Sequence, residues 1–539
     1  MSAYVDSRVA EILEQFGEPS ADVAWLLCDR HPATAKALTV IDEQSAVSEY
    51  TYGDLAEASR RAAAVLAGAG VRRGDRVATV MGKSVDLVAV VLGVWRVGAV
   101  YVPLFTAFAE DAIGSRLADA GAVLVVADAE QRAKVPEGDW TIIVADAGAS
   151  DGLSARLAAA DPAEVASVAV GGDGALVHMF TSGTTGKPKG VVHPVRYAAG
   201  WQGYLEFGLG AGSDSVFWCG ADPGWAYGLY TAIVAPLAAG VPTILLRGGF
   251  SALTTWKVLE DLAVTDFAAA PTVYRGLRAS DAPIPEGLVV RRLSSAGEPL
   301  TPEVNEWART ALGLEVHDHY GQTELGMPIG FPHHPQLERP VLAGAMGVAL
   351  PGWRITVLHE SDDVPAAPGQ PGRLAAVVAD SPFMTFHGYV GGVGSDRFRA
   401  EGAYFLTGDI ASIDTDAIVR FSARDDDVII MAGYRIGPFD IESTLLQHSS
   451  VKECAVVAGP DDVRGEVVEA FVVLAPGTPE SGELIGELQK WVKDNYAAHA
   501  YPRRIHFVET LPKTPSGKIQ RAQLRRRRRE SADLSAGNR

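Results

Sequence analysis

The chain predicts an α/β protein in four parts: two doubly wound units of alternating strands and helices, a small β-barrel-like unit, and a small α+β unit at the C-terminal end. Three observations predict it. Helical and strand patterns alternate over residues 50–130 and again over 195–296. The pattern turns to short β-rich segments from about 340 to 422. A polar break, Arg424-Asp425-Asp426-Asp427, then precedes a mixed stretch of about 110 residues, enough for a small domain.

The first residues, MSAYVDSRVAEILEQFG, read as an amphipathic surface helix and not as a signal peptide. Tyr52–Gly68 carries Ala62, Ala63, Val65 and Leu66 on one helical face. Gly70–Asp75 is a turn, and Val77–Val80 a short buried strand. Helix Val85–Val97, strand Val100–Pro103, helix Ala107–Ala120 and strand Val123–Val126 follow. This alternation requires a parallel sheet covered on both faces. Residues 127–170 are polar and rich in Ala and Asp, which marks them as peripheral. The second unit runs through helix Val195–Phe207 and strands Ser215–Cys219, Thr243–Leu246, Phe267–Ala270 and Leu293–Ala296. Arg354–Leu358, Gly372–Val378 and Ala417–Phe421 are the β-rich segments. Beyond the break come strand Val428–Met431, helix Ile441–His448, strands Glu453–Gly459 and Ala470–Leu474, helix Ile485–Tyr496 and strand Arg504–Phe507. The run Arg525–Arg529 reads as a solvated helix end, with contact to an anionic cofactor as the other reading.

Two apolar runs bear on membrane insertion. Leu87–Trp95 is too short to span and ends at Arg96. Leu229–Leu246 has the length but holds Pro236, Gly240 and Pro242, so a buried helix, a turn and a buried strand explain it. The net charge of −19 argues against nonspecific nucleic-acid or acidic-membrane binding, and any anionic substrate must meet locally clustered positive groups. Cys28, Cys219 and Cys454 lie far apart, which points to a reducing, cytoplasmic compartment and to neither a disulfide framework nor a zinc site.

The most informative stretch is HMFTSGTTGKPKG at 178–190. An apolar run enters a loop of Thr, Ser, Gly, Lys and Pro, and the loop empties into Val191-Val192-His193. Glycine lets backbone amides approach an anion, and hydroxyls and lysine add donors. A Walker A loop needs four residues between its glycines, then Lys-Ser/Thr and a helix. Here Gly183 and Gly186 are closer, Lys187 precedes Pro188, and a strand pattern follows. Composition alone leaves a phosphate loop and a plain turn between two strands equally open.

Four further motifs lie downstream: Ser295-Ala296-Gly297-Glu298-Pro299-Leu300; Tyr320-Gly321-Gln322-Thr323-Glu324; Tyr404-Phe405-Leu406-Thr407-Gly408-Asp409 with Arg424-Asp425-Asp426-Asp427 and Gly433-Tyr434-Arg435-Ile436; and Pro512-Lys513-Thr514-Pro515-Ser516-Gly517-Lys518-Ile519-Gln520-Arg521. With the loop, these five in this order span the chain and resemble the AMP-forming acyl-CoA synthetases of the adenylate-forming superfamily. The resemblance implies a large N-terminal adenylation domain, residues 1–424, and a small mobile C-terminal domain, residues 425–539. It implies ATP, Mg²⁺ and coenzyme A beside a small carboxylic acid. Nucleic acid and membrane insertion are not expected, and a homo-oligomer is left open.

The resemblance also implies roles. Thr181, Ser182, Gly183, Thr184, Thr185, Gly186 and Lys187 grip the pyrophosphate end of ATP. Gly297, Glu298 and Pro299 border adenine, on which Tyr320 stacks. Asp318, His319, Gly321 and Gln322 belong to the same ATP site. Thr323 bonds the α-phosphate and Glu324 holds Mg²⁺. Asp409 takes the ribose hydroxyls, as a carboxylate able to accept two donors. Arg424 supports ribose or phosphates and Arg435 the phosphate end. Lys518, with Thr181 and Glu324, carries catalysis by offsetting charge between carboxylate and α-phosphate. Asp426 is the hinge, and Gly433 with Tyr434 borders the coenzyme A tunnel.

Trp225, Tyr227, Ala296 and Gly321 are the implied acyl pocket. Acetyl-CoA synthetases carry Trp where this chain has Gly321, so the missing ring leads to an expectation of acids longer than acetate. These run from propionate to medium chains, branched acids included, with benzoate-type aromatic acids second. An acyl-AMP ligase that loads a carrier protein and a catalytically silent binding homologue are the competing readings. Intact Glu324, Asp409, Arg424 and Lys518 argue against the silent one.

Overall fold

The computed structural model describes residues 3–145, 148–163, 165–181, 188–392, 394–424, 427–431, 434–461, 465–497, 500–514, 519–526 and 528. Helix Ala3–Gly17 buries Val5, Val9, Ile12 and Phe16, the face its periodicity predicts. Helix Tyr52–Gly68 opens on a capping box in which Thr51 and Asp54 satisfy each other's backbone N–H. Helix Val85–Arg96 starts at Ser84, which accepts from Leu87 N, and is buried from Leu87 onward. The two helices pack so closely that a Cβ on Gly93 would lie 2.7 Å from that of Ala62.

These helices flank a six-stranded sheet in the order Thr141–Ala145, Ala122–Asp128, Arg76–Val80, Val100–Pro103, Ala175–Thr181, Lys189–Pro194. All its neighbours are parallel except the last pair, an antiparallel hairpin. The strand-to-strand setting expected for the Gly-rich loop is this hairpin. Thr141–Ala145, within the stretch expected to be peripheral, is the outermost strand of the sheet, parallel to Ala122–Asp128, because its Ile-Ile-Val run extends the sheet.

A nine-stranded sheet holds the second unit. Its parallel centre runs Val316–Gln322, Arg292–Ala296, Asp266–Ala269, Phe217–Cys219, Thr243–Leu246, Lys36–Ile41. Antiparallel strands close both sides: Val47–Thr51 on one, and Gly326–Gly330 then Val348–Ala349 on the other. The stretch Leu229–Leu246 is the expected helix, turn and strand, with Gly240 in the left-handed cap. Among the described residues no helix is long and apolar enough to cross a membrane. The small β unit is a five-stranded antiparallel sheet built on Tyr404–Ile413, whose register sets Asp409 opposite Arg424.

The C-terminal unit has its own core of Ile429, Ile441, Leu445, Val456, Val468, Leu488 and Val492 between a five-stranded sheet and helices Pro438–Leu446 and Gly482–Asn495. The arginine run is only partly a solvated end over its described part: Arg526 is exposed, whereas Arg525 and Arg528 are engaged. Arg528 Nε donates to Glu469 Oε2 at 2.8 Å, and Arg525 pairs with Asp427. The Glu469 side chain is fully buried, and it also takes Arg504 and His506, so three donors hold its carboxyl down at about 2. Cys28, Cys219 and Cys454 are all buried thiols.

Candidate active site

A cavity of about 440 Å³ opens where the strands of the large part end and the C-terminal unit meets them. Ligands in open α/β sheets bind at such carboxyl ends. Thr181 and Lys189, partners across the hairpin mouth, line it. Ser182 to Lys187, the rest of the loop, lie outside the described residues.

Gly297, at φ +106°, turns the chain after strand Arg292–Ala296, a conformation that glycine adopts without strain. It brings Glu298 and Pro299 to the cavity wall, where Glu298 Oε1 accepts from Thr272 Oγ1 and pairs with Arg275 at 2.5 Å. Tyr320, Gln322 and Asp409 form one network. The Tyr320 hydroxyl donates to Asp409 Oδ2, and Gln322 Nε2 donates to the same oxygen at 2.9 Å and to Thr407 O at 2.8 Å. Arg424 Nε faces Oδ1 at 3.5 Å. Burial pushes the Asp409 carboxyl up against the pull of Arg424. The Tyr320 hydroxyl is thereby fixed on a buried carboxylate whose Oδ1 faces Arg424 and retains lone-pair capacity for a polar ligand.

Thr323 lines the cavity while its carbonyl accepts from His193 and Tyr197, both at 2.8 Å. Glu324 is buried, and the Tyr389 hydroxyl donates to its Oε1. Among the described residues Oε2 takes no hydrogen bond, which leaves it for a cation. One hard carboxylate beside a phosphate site fits Mg²⁺, which takes the rest of its shell from substrate phosphates and water. Lys189 Nζ lies 5.0 Å above the Tyr389 ring.

Asp318 and His319 adjoin the cavity, each buried. Asp318 accepts from Ser295 Oγ at 2.8 Å and Leu300 N at 3.3 Å, yet burial pushes its carboxyl from 3.8 up to about 7. A carboxyl raised in the folded state stabilises fully below its unfolded value and loses that contribution as pH rises through 7. Asp318→Asn is therefore expected to gain stability relative to the wild type between pH 4 and 8, by at most about 1.4 kcal/mol per pH unit. Urea unfolding midpoints across that range check it. His319 turns its ring to the other face of the strand, toward Tyr204 and Phe331.

Of the acyl-pocket candidates only Gly321 lines this cavity. A Cβ on Gly321 would fall 2.1 Å from Gly326 O and 2.4 Å from Met327 Sδ. The absent ring therefore leaves no simple opening, because the neighbouring antiparallel strand has closed on it. Ala296 is buried, Trp225 packs edge-on against Phe105 at 5.7 Å, and Tyr227 is half-buried with its hydroxyl on Tyr204.

Asp426, Gly433 and Lys518 lie outside the described residues, and for Tyr434 and Arg435 only the backbone strand Tyr434–Ile436, paired with Ile429–Met431, is described. Lys513 and Ile519, which bracket Lys518 in sequence, pair with each other and line the cavity with Arg521. Lys189, Arg275, Tyr389 and Arg397 also line it and were not expected. Lys189 was legible as the second lysine of the loop. Arg397, whose Nη1 donates to Thr407 O at 3.1 Å, stands in no motif.

Comparison with known proteins places this arrangement. The sequence model of the AMP-binding enzyme family matches residues 28–390, and that of the AMP-binding enzyme C-terminal domain matches 440–518. The uncharacterized acyl-CoA ligase YtcI of Bacillus subtilis (strain 168) is 34% identical over 509 residues, 91% of this chain and 93% of that protein. The crystal structure of a Brucella canis acyl-CoA synthetase shares 41% identity and a TM-score of 0.74, covering 98% of this chain and 99% of that one. A benzoate CoA ligase from Burkholderia xenovorans LB400 shares 28% identity and a TM-score of 0.82, covering 96% and 99%. The chain belongs to the AMP-binding enzyme family and is an AMP-forming acyl-CoA synthetase of the adenylate-forming superfamily.

Proposed function

We propose that this synthetase activates a short- to medium-chain acid, branched acids included, through the residues gathered at the cavity. The carboxylate oxygen attacks the α-phosphorus of ATP, the bond to the β-phosphate oxygen breaks, and pyrophosphate leaves. The thiol of coenzyme A then attacks the acyl carbonyl and AMP leaves. The observation that carries the reading is that one cavity collects Thr181, Glu324, Tyr320 and Asp409 from the large part together with Lys513, Ile519 and Arg521 from the C-terminal unit.

Each group has a task. The loop from Thr181 and the cation on Lys189 neutralise the phosphates, so that two anions can be held in line. Tyr320 stacks on adenine and Asp409 accepts from ribose. Glu324 holds Mg²⁺, which offsets phosphate charge when bound. Residues 1–424 act as the adenylation domain. Residues 425–539 turn about Asp426 so that Lys518 serves the first step and Gly433 with Tyr434 the second. ATP–pyrophosphate exchange and thioester formation across acids of two to ten carbons and the benzoates test this. Exchange without free coenzyme A turnover would assign the acyl group to a carrier protein instead. The likeness to a benzoate CoA ligase supports an aromatic acid as the second reading.

Met327, buried against Gly321, takes the place of the missing ring. Met327→Ala is expected to lengthen the preferred acid by one or two carbons. The kcat/KM ratio of longer to shorter acid should rise about tenfold per methylene accommodated. An unchanged chain-length profile would remove Met327 from the pocket.

A further inference from the structure

Most of the positive charge on the cavity wall is already spent on carboxylates of the protein itself. Arg275 pairs with Glu298, Arg424 faces Asp409, Lys513 pairs with Glu453 at 2.6 Å and Arg521 with Glu442. Among the described residues, the cavity cations Lys189, Lys452 and Arg397 make no ion pair. Lys452 stands on strand Val451–Asp461 of the C-terminal unit. Lys189 and Arg397 belong to the large part.

Arg397 closes the helical turn Ser395–Arg397 and is half-buried. Its Nη1 donates to Thr407 O at 3.1 Å, the same carbonyl that accepts from Gln322 Nε2 at 2.8 Å. Gln322 also donates to Asp409 Oδ2, so one short network fixes the guanidinium beside that carboxylate. Nη2 stands over Gly408, 3.4 Å from where a Cβ would be, and makes no hydrogen bond among the described residues. The charge of Arg397 reaches both Asp409 and Tyr389, whose hydroxyl is bonded to Glu324.

A planar guanidinium with uncommitted N–H donors, facing a nucleotide cavity, suits a phosphate. Its neighbours indicate which one. On the synthetase reading Asp409 takes the ribose, and Thr181 and Lys189, at the hairpin mouth, take the pyrophosphate end. A cation in range of Asp409 and of the residue that holds Glu324 suits the group that joins those ends, the α-phosphate. The chemistry needs a fixed cation there. The α-phosphate is the phosphate kept after pyrophosphate leaves. In the second step the thiol sulfur bonds to the acyl carbon, the bond from that carbon to the phosphate oxygen breaks, and the oxygen keeps the electron pair. Negative charge therefore grows on the α-phosphate when Lys518, carried by the C-terminal unit, has turned away.

We infer that Arg397 binds the α-phosphate of the nucleotide in both half-reactions. This rests on the acyl-CoA synthetase reading of the cavity and adds to it a residue that stands in none of the five motifs.

Binding of AMP and of adenosine to the full chain, measured by calorimetry, separates the phosphate from the rest of the nucleotide. Arg397→Gln is expected to weaken AMP about tenfold to a hundredfold, the loss of a charge-assisted hydrogen bond, and to leave adenosine unchanged. Arg397→Lys, which keeps the charge and loses the fork, should fall between the two and serves if Arg397→Gln does not fold. In turnover, Arg397→Gln should raise KM for ATP in pyrophosphate exchange and KM for preformed acyl-AMP in thioester formation by similar factors. AMP and adenosine weakened alike would show a role in the fold or at the ribose and overturn the inference. Neither weakened, as for an arginine that meets the carboxylate of the acid, would overturn it too. A KM for acyl-AMP that stays at the wild-type value would overturn it for the second half-reaction. Wild-type protein without exchange on any acid would overturn the synthetase reading, while a preference for AMP over adenosine that still depends on Arg397 would leave the phosphate assignment standing.

Discussion

Lys518→Ala is expected to lower acid-dependent ATP–pyrophosphate exchange by about 10²- to 10³-fold, while thioester formation from preformed acyl-AMP proceeds at close to the wild-type rate. On the proposed reading, the first step brings a carboxylate against a polyphosphate, and Lys518 between them offsets charge that develops only in the transition state. Removing such a donor costs about 3–4 kcal/mol. The second step needs no charge there, because pyrophosphate has left and the attacking group is a thiol. Lys513, Ile519 and Arg521 on the cavity wall bring the segment's flanks to the site, which is why the prediction attaches to the first step. Equal loss in both half-reactions would remove the division of labour between the two arrangements of the C-terminal unit. An unchanged exchange rate would remove Lys518 from catalysis.

How much of this was legible depended on the range of the interaction. Tyr52–Gly68, Val100–Pro103 and Arg504–Phe507 were read to the residue, because a cap, a proline or a period of two or 3.6 lies within each. The hairpin of Lys36–Ile41 and Val47–Thr51 was not read at all. Lys36–Ile41 is a strand because it pairs in parallel with Thr243–Leu246, some two hundred residues away, and nothing local announces that. The same holds for Arg528, whose charge looked solvated until Glu469 was found beneath it. At the site, contiguous motifs marked Glu298, Tyr320, Glu324 and Asp409, and all four line one cavity. Tyr389 and Arg397 come from the loop and the short helical turn Ser395–Arg397 between motifs and reach the site only through the fold. Gly321 was singled out for its missing side chain, and what occupies the space beside it is Met327, on the partner strand of a bulged antiparallel pair. A sequence shows that a side chain is missing. It does not show which neighbour moves in.

Glu442→Ala should produce the largest stability change. Glu442 is buried on helix Pro438–Leu446, and its carboxylate receives Arg521 Nη2 at 2.7 and 2.9 Å and Val456 N at 2.7 Å. Truncation leaves a largely buried guanidinium that, among the described residues, has Asp427 at 3.7 Å to face. Breaking one side of a buried pair in this way costs about 3–5 kcal/mol. In a unit of about 110 residues that lowers the melting midpoint by roughly 15 °C. The effect reaches function because Arg521 fixes the segment that follows Lys518 to the body of the C-terminal unit. Exchange should therefore fall with stability even below the melting transition, and Glu442→Gln, which keeps the shape and one acceptor, should lose less of both. A Glu442→Ala protein that melts with the wild type would show that Asp427 and solvent suffice for Arg521. One that melts early yet keeps full exchange would show that the Lys518 segment is positioned by the cavity itself and not by its anchor.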